Sequence, residues 1–156
     1  METHFVVTGI IRYKDRILIL KKSPDDYNYP NRWSFCSGFV KEFEPAEKSI
    51  LREIKEETGL NAKILKTAEP IVVVDKNKRW VVAPFLCESN SDKITLDHEN
   101  TEYKWIRPEE AKNYNGVPAF LKDLELFSLY SWTKKCQKPL GFLSILRNLG
   151  FLTYEQ

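Results

Sequence analysis

One segment, GFVKEFEPAEKSILREIKEETGL at residues 38–60, restricts this 156-residue chain more than any other. Pro45 suits the start of a helix, Glu44 just ahead of it suits the positive helix end, and Gly59 suits the left-handed position past the last turn. A helix between Pro45 and Gly59 is therefore predicted. At about 100° per residue, Ile50, Ile54 and Leu51 form an apolar stripe, and Glu53, Glu56 and Glu57 form an acidic stripe about 100° wide beside it. Lys48 and Lys55 fall on a third face and cannot neutralise the whole cluster. Such a helix must bury one side while holding three carboxylates at the rim of the burial.

The rest of the chain supplies a sheet for that burial. HFVVTGIIRY (4–13) and RILILKK (16–22) are β-rich runs joined by a polar turn at Lys14 and Asp15, which reads as a hairpin. A loop rich in turn residues, SPDDYNYPNR, leads into the short aromatic segment WSFCSGFV (33–40). After the helix, AKILKTAEPIVVVD, RWVVAPFLCES, KITLD and TEYKWIR are all strand-like, and PEEAKN and PAFLKDLELFSLY read as helices. The expected architecture is an α/β sandwich, helices flanking a mixed sheet, in a single domain over 1–156. A C-terminal helical tail over about 131–156, with PLGFLSILRNLGF in it, is expected to pack on the body or on a second subunit as a homodimer contact.

Charge narrows the partners. With 24 basic and 22 acidic residues the formal net charge is +2, so nothing calls for a nucleic-acid polymer or a membrane surface. No apolar run approaches the roughly 20 residues that span a bilayer. Cys36, Cys87 and Cys136 are widely spaced and odd in number, which reads as free thiols in a reducing compartment and a cytoplasmic protein.

The acidic stripe has a chemical reading. Arg52 stands four residues before Glu56 and can grip that carboxylate with two prongs, whereas Glu53 and Glu57, also four apart, repel one another. A divalent cation turns the repulsion into attraction. Oxygen-only donors suit Mg2+ or Mn2+, and the absence of Cys and His from the cluster argues against zinc. Taken alone, RE-x-x-EE also describes an ordinary solvated helix face.

The neighbouring positions add a resemblance. Gly38, Glu44, Arg52, Glu53, Ile54, Glu56, Glu57, Gly59 and Leu60 match, without departure, the G-x5-E-x7-RE-U-x-EE-x-G-U box of the Nudix hydrolases, U being an aliphatic residue. The resemblance implies an α/β/α sandwich and a Mg2+-dependent hydrolase that cleaves a nucleoside diphosphate linked to another moiety by water attack on a phosphoanhydride. It implies Glu53, Glu56 and Glu57 as metal ligands with the Gly38 carbonyl, Arg52 orienting the acids, and Glu44 supporting the site. The general base would be Glu53 or a loop glutamate outside the box; LDHENTEYKW (96–105) offers Asp97, Glu99 and Glu102, of which Glu99 is favoured. Trp33 and Phe35 are expected to contact the substrate, with Tyr27, Tyr29, Trp80 and Phe85 as further stacking candidates. Lys21, Lys22, Arg32 and Lys41 are candidates for phosphate contact.

Within the family several subfamily marks are missing. Asp75 and Lys76 stand where ADP-ribose hydrolases carry a proline, Lys76, Asn77 and Lys78 where dinucleoside polyphosphate enzymes carry a tyrosine, and the NADH-hydrolase mark SQPWPFPxS is absent. Against this, LDHENTEYKWI is similar to the L-S-x-E-H-x-x-Y-x-W stretch of asymmetric diadenosine tetraphosphate hydrolases, with Asn100 in place of histidine. Cys36 and Ser37 replace the proline and first glycine that usually lead into the box. The resemblance thus implies a nucleoside di- or triphosphate pyrophosphohydrolase first, a dinucleoside polyphosphate hydrolase second, and a non-catalytic nucleotide-binding module as the alternative of another class.

Overall fold

The computed structural model describes residues 1–129; the tail expected over about 131–156, and Cys136 with it, lies outside the described residues. Eight strands among the described residues form one mixed sheet around β1 (Glu2–Tyr13). β1 turns back through Lys14 and Asp15 into antiparallel β2 (Arg16–Lys22), the hairpin expected from the polar pair. Lys14 takes a left-handed φ of 54° in that turn.

The segment 33–40 is not one strand. It divides at Phe35 into β3 (Trp33–Ser34), paired with β2, and β4 (Cys36–Phe39), paired with β1. Phe35 occupies the break because its ring turns into the core and stacks on Phe120 at 4.8 Å. α1 (Ala46–Thr58) follows, and Gly59 closes it at φ 73° with its N–H on the Lys55 carbonyl. Pro45 is the residue before the first turn, one position earlier than the sequence suggested.

β5 (Ala62–Thr67), β6 (Ile71–Asp75) and β7 (Lys78–Ser89) complete the other half, with β7 antiparallel to both β5 and β6. β7 runs parallel to β1 from Glu2↔Lys78 to Arg12↔Glu88. The expected strand at KITLD is absent. Those residues run beside the end of α1, where the Thr95 and Asp97 N–H groups donate to the Thr58 and Glu57 carbonyls at 2.9 and 3.3 Å. The last carbonyls of a helix have no partner within it, and this segment satisfies them in place of making a ladder. β8 (Asn100–Ile106) pairs with β2, a 3-10 turn spans Pro108–Asn113, and α2 (Phe120–Leu126) ends the described chain.

Alternation along β1 and β2 builds a core on each face of the sheet. Val7, Ile11, Leu18 and Leu20 face α1 and meet Ile50 and Ile54. Ile10, Ile17 and Ile19 face the other way and meet Phe120 and Leu124 of α2. The helix–sheet–helix layering is the α/β sandwich that the sequence predicts. No helix among the described residues is long and apolar enough to cross a membrane.

The wheel of α1 needs one correction. Leu51 is exposed, and the buried arc centres between Ile50 and Ile54 so that it takes in Glu57. One of the three carboxylates is therefore inside the packing and not at its rim.

Candidate active site

Arg52 organises the acids. Its Nε and Nη2 donate to the two oxygens of Glu44 at 2.8 and 2.9 Å, and its Nη1 donates to Glu53 Oε1 at 2.6 Å and Glu56 Oε2 at 3.1 Å. The two-pronged contact is thus with Glu44, not with Glu56 as expected. Glu44 offers both oxygens to the flat side of the guanidinium fork, and Glu56, more than half exposed, takes a single edge. The Arg52 guanidinium holds the Glu44 carboxyl down at about 2. One cation thereby pins the loop before α1 to the helix itself.

Glu53 lies across Gly38. A Cβ on Gly38 would fall within the Glu53 carboxyl group, so only the bare backbone of β4 lets that side chain lie where it does. Burial raises the Glu53 carboxyl above its ordinary value; Arg52 opposes this, and Glu56 and Glu99 add to it by repulsion.

Glu57 is enclosed. It is 4 % exposed; Oε1 accepts from the Ser37 N–H at 3.1 Å and the Cys36 thiol at 3.4 Å, and Oε2 accepts from Asn100 Nδ2 at 2.9 Å. Burial pushes its carboxyl up to about 8 despite these three donors. Cys36 and Ser37, which stand where a proline and glycine are usual, are the residues that reach it. Burial and the neighbouring Glu57 also push the Cys36 thiol up, so it stays protonated as a donor.

A cavity of about 450 Å³ opens beside these acids. Gly38, Arg52, Glu53, Glu56 and Glu99 line one end of it, with Lys22 and Lys41. Glu57 stands behind this wall. Of the three acids in LDHENTEYKW, Glu99 alone reaches the cavity: Glu102 is drawn to Lys21 at 2.7 Å, and Asp97 accepts from the Glu99 N–H at 3.1 Å.

The oxygen donors suit a hard divalent cation, and the repulsion that Glu56 and Glu99 exert on Glu53 is what such an ion would relieve. The glycine cradle brings the β4 backbone against the Glu53 carboxyl, so the Gly38 carbonyl and that side chain belong to one small region. No three acidic, imidazole or thiol groups among the described residues converge as a ready-made metal cluster. Arg52 meanwhile supplies the positive charge at Glu53 and Glu56.

The family model for the NUDIX domain matches residues 3–124, most of the chain and all of the site. The chain belongs to the Nudix family. It is a hydrolase of phosphoanhydride bonds, and the family's substrates are small nucleotides. Relatives of this Nudix hydrolase include the nucleoside triphosphatase NudI of Klebsiella pneumoniae, 26% identical over 127 residues that cover 74% of this chain and 89% of the relative. NudI of Escherichia fergusonii is 26% identical over 141 residues, 83% of this chain and 99% of the relative. Among solved structures, the MutT protein of Methanosarcina mazei superposes with a TM-score of 0.69 at 24% identity, covering 78% of this chain and 89% of that one. A C. elegans Ap4A hydrolase gives 0.65 at 23% identity, covering 82% and 96%.

In this Nudix hydrolase the aromatic candidates separate. Phe35 lines the cavity, as do Tyr29 and Trp80. Trp33 packs in the core against Tyr114 at 5.2 Å, outside the cavity wall. Tyr27 is 87 % exposed, and Phe85 is buried on the α1 face. Lys21 and Arg32 are engaged elsewhere, with Glu102 and Asn115.

Two residues of the site went unread in the sequence. Asn100, whose amide holds Glu57, is the position where the diadenosine tetraphosphate pattern has histidine, and that departure was its signal. Asp123 also lines the cavity, 3 % exposed. It lies between Phe120 and Leu124 on the apolar stripe of α2, and a charge on a buried stripe is the sign that could have found it.

Proposed function

We propose that this protein is a Mg2+- or Mn2+-dependent pyrophosphohydrolase of nucleoside di- or triphosphates, cytoplasmic, releasing a nucleoside monophosphate. The observation that carries the reading is the acid-lined end of the cavity: Glu53, Glu56 and Glu99 stand there with Lys22 and Lys41 beside them. That pairing of anionic and cationic side chains suits a metal-bound diphosphate and little else.

Glu53, Glu56 and the Gly38 carbonyl would hold the cation, with Glu57 joining as its enclosed carboxyl gives up its proton; the ion supplies neutralisation of charge on the diphosphate. Arg52 keeps Glu53 and Glu56 in fixed rotamers through contacts of 2.6 and 3.1 Å. Glu99, on a loop at the cavity wall, accepts the proton of the attacking water at its carboxylate, with Glu53 as the other candidate for that role. Lys22 and Lys41 bind the phosphate oxygens. Phe35, Tyr29 and Trp80 give the sugar and base flat apolar walls.

The relatives named as nucleoside triphosphatases support a triphosphate substrate. The test is a panel of nucleoside diphosphate derivatives, triphosphates and dinucleoside polyphosphates with Mg2+ or Mn2+, reading released phosphate or pyrophosphate and the monophosphate formed. Turnover of triphosphates to monophosphate and pyrophosphate is expected. No turnover of any member with either cation would refute the reading and leave a binding module.

A further inference from the structure

β6 is a bare sheet edge. Among the described residues it pairs with β7 alone, in unbroken register from Ile71↔Val82 to Asp75↔Lys78, and its other side carries no strand. Natural edge strands are blunted by a lysine, a proline or a bulge, because an open ladder recruits another chain. Residues 71–74 are Ile-Val-Val-Val and have none of these. The two-residue turn at Lys76 and Asn77 makes Asp75 and Lys78 a hydrogen-bonded pair, so alternation turns the N–H and C=O groups of Val72 and Val74 to the open side.

One face beside that edge is apolar and open. Paired strand residues share a face, and Phe5 pairs with Val81, which pairs with Val72. Further along the same face Val7 and Ala83 belong to the core under α1, whereas Phe5 is 45 % exposed, Val72 56 % and Val74 58 %. Val73 alternates to the opposite face, where it lines the cavity. We propose that β6 pairs antiparallel with β6 of a second copy of this chain, about a two-fold axis through Val73, and so forms a homodimer with one continuous sheet.

The strand is complementary to itself in that register, as a two-fold contact requires. Val72 meets the partner's Val74 and Val74 meets the partner's Val72, so four valines close over the axis between the two exposed copies of Phe5. Ile71 meets the partner's Asp75, which keeps the two Asp75 carboxylates apart. Charge agrees beyond the strand ends: the exposed Glu69 falls opposite the partner's Asn77, beside the partner's Lys76, which is also exposed. The position of the axis is fixed as well. Moving it to Val72 brings Pro70 into the ladder, and moving it to Val74 brings in the turn at Lys76.

The experiment is analytical ultracentrifugation of the full chain over a concentration series, in which the mass should double. Two like-charged double variants, Val72→Lys with Val74→Lys and Val72→Glu with Val74→Glu, place equal charges directly opposite each other and should weaken the dimer about ten-fold. Val72→Lys with Val74→Glu sets each lysine against the partner's glutamate and should dimerise at least about ten-fold more tightly than either. Hydrogen exchange gives a readout on the wild type: the N–H groups of Val72 and Val74 should exchange at least about ten-fold more slowly when the protein is concentrated. A wild type that stays monomeric, or a mixed-charge variant no tighter than the like-charged ones, would overturn the proposal. So would exchange at Val72 and Val74 that does not depend on concentration; if it is slow throughout, the edge is covered by residues 130–156 and not by a second copy. Should the like-charged variants not fold, the mass and exchange of the wild type decide.

Discussion

At the scale of single residues, Gly38 has no room for a side chain. Gly38→Ala drives a methyl group into the Glu53 carboxyl, and the acid must leave its place against β4. The expected outcome is a loss of turnover of at least about a hundred-fold, with a stability cost of about 1–3 kcal/mol from overpacking. Steady-state kinetics and denaturant unfolding check both halves. Glu57→Gln tests the other side of the wall. Both Glu57 oxygens accept hydrogen bonds, so an amide nitrogen in place of either one faces a donor, Asn100 Nδ2 or the Ser37 N–H, and the melting temperature should fall by several degrees while the fold is kept. Turnover should fall by several orders of magnitude, because an amide cannot become an anionic ligand. Near-normal Mg2+-dependent turnover would remove Glu57 from the metal set. The acids of the box were legible from their spacing on the helix, but the partners of Arg52 and Glu57 were not. Which carboxylate receives two prongs depends on where the loop at Glu44 lies, and the enclosure of Glu57 depends on Asn100, 43 positions away along the chain.

At the scale of elements, α1 and the loop before it act as a unit because Arg52 ties Glu44 to the helix. Glu44→Gln leaves the loop weakly held and frees the guanidinium to move fully onto Glu53 and Glu56. A cation then competes against a stronger rival, and the Mg2+ concentration for half-maximal turnover should rise about ten-fold; an unchanged Mg2+ profile would show that Glu44 does no more than close the loop. The limits of α1 were readable from Pro45 and Gly59, whose backbone preferences are local. KITLD reads as a strand for the same kind of reason in reverse. Its alternating apolar residues pack Ile94 and Leu96 onto the core, as a strand would, while its N–H groups go to the helix end, which no local pattern reveals. The division of residues 33–40 at Phe35 likewise follows from Phe120, far along the chain.

For the whole molecule, the layered sandwich was legible because the near-continuous apolar runs of β1 and β2 specify burial on both faces, and a sheet buried on both faces needs helices on each. The order of strands was not, since pairing of β1 with β7 leaves no mark in either sequence. Stability as a function of pH also belongs to this scale. Asp123 keeps its proton in the folded protein to about pH 7, whereas the unfolded chain releases it near 3.8. Between those values the folded state binds the extra proton, so stability falls as pH rises, by at most about 1.4 kcal/mol per pH unit from this group. Glu57 adds a decline of the same sign up to about pH 8. Thermal melts from pH 4 to 8 should show the decline in the wild type and a shallower one in Asp123→Asn; parallel curves would place the proton elsewhere. The long parallel ladder between β1 and β7 also bears on how the chain is made. Of the described strands, the one at the middle of the sheet leaves the ribosome before the others, and its partner is finished only when residue 89 has been added. Until then β1 has an open edge, and closing so large a loop in sequence makes late, slow assembly the natural course for this molecule.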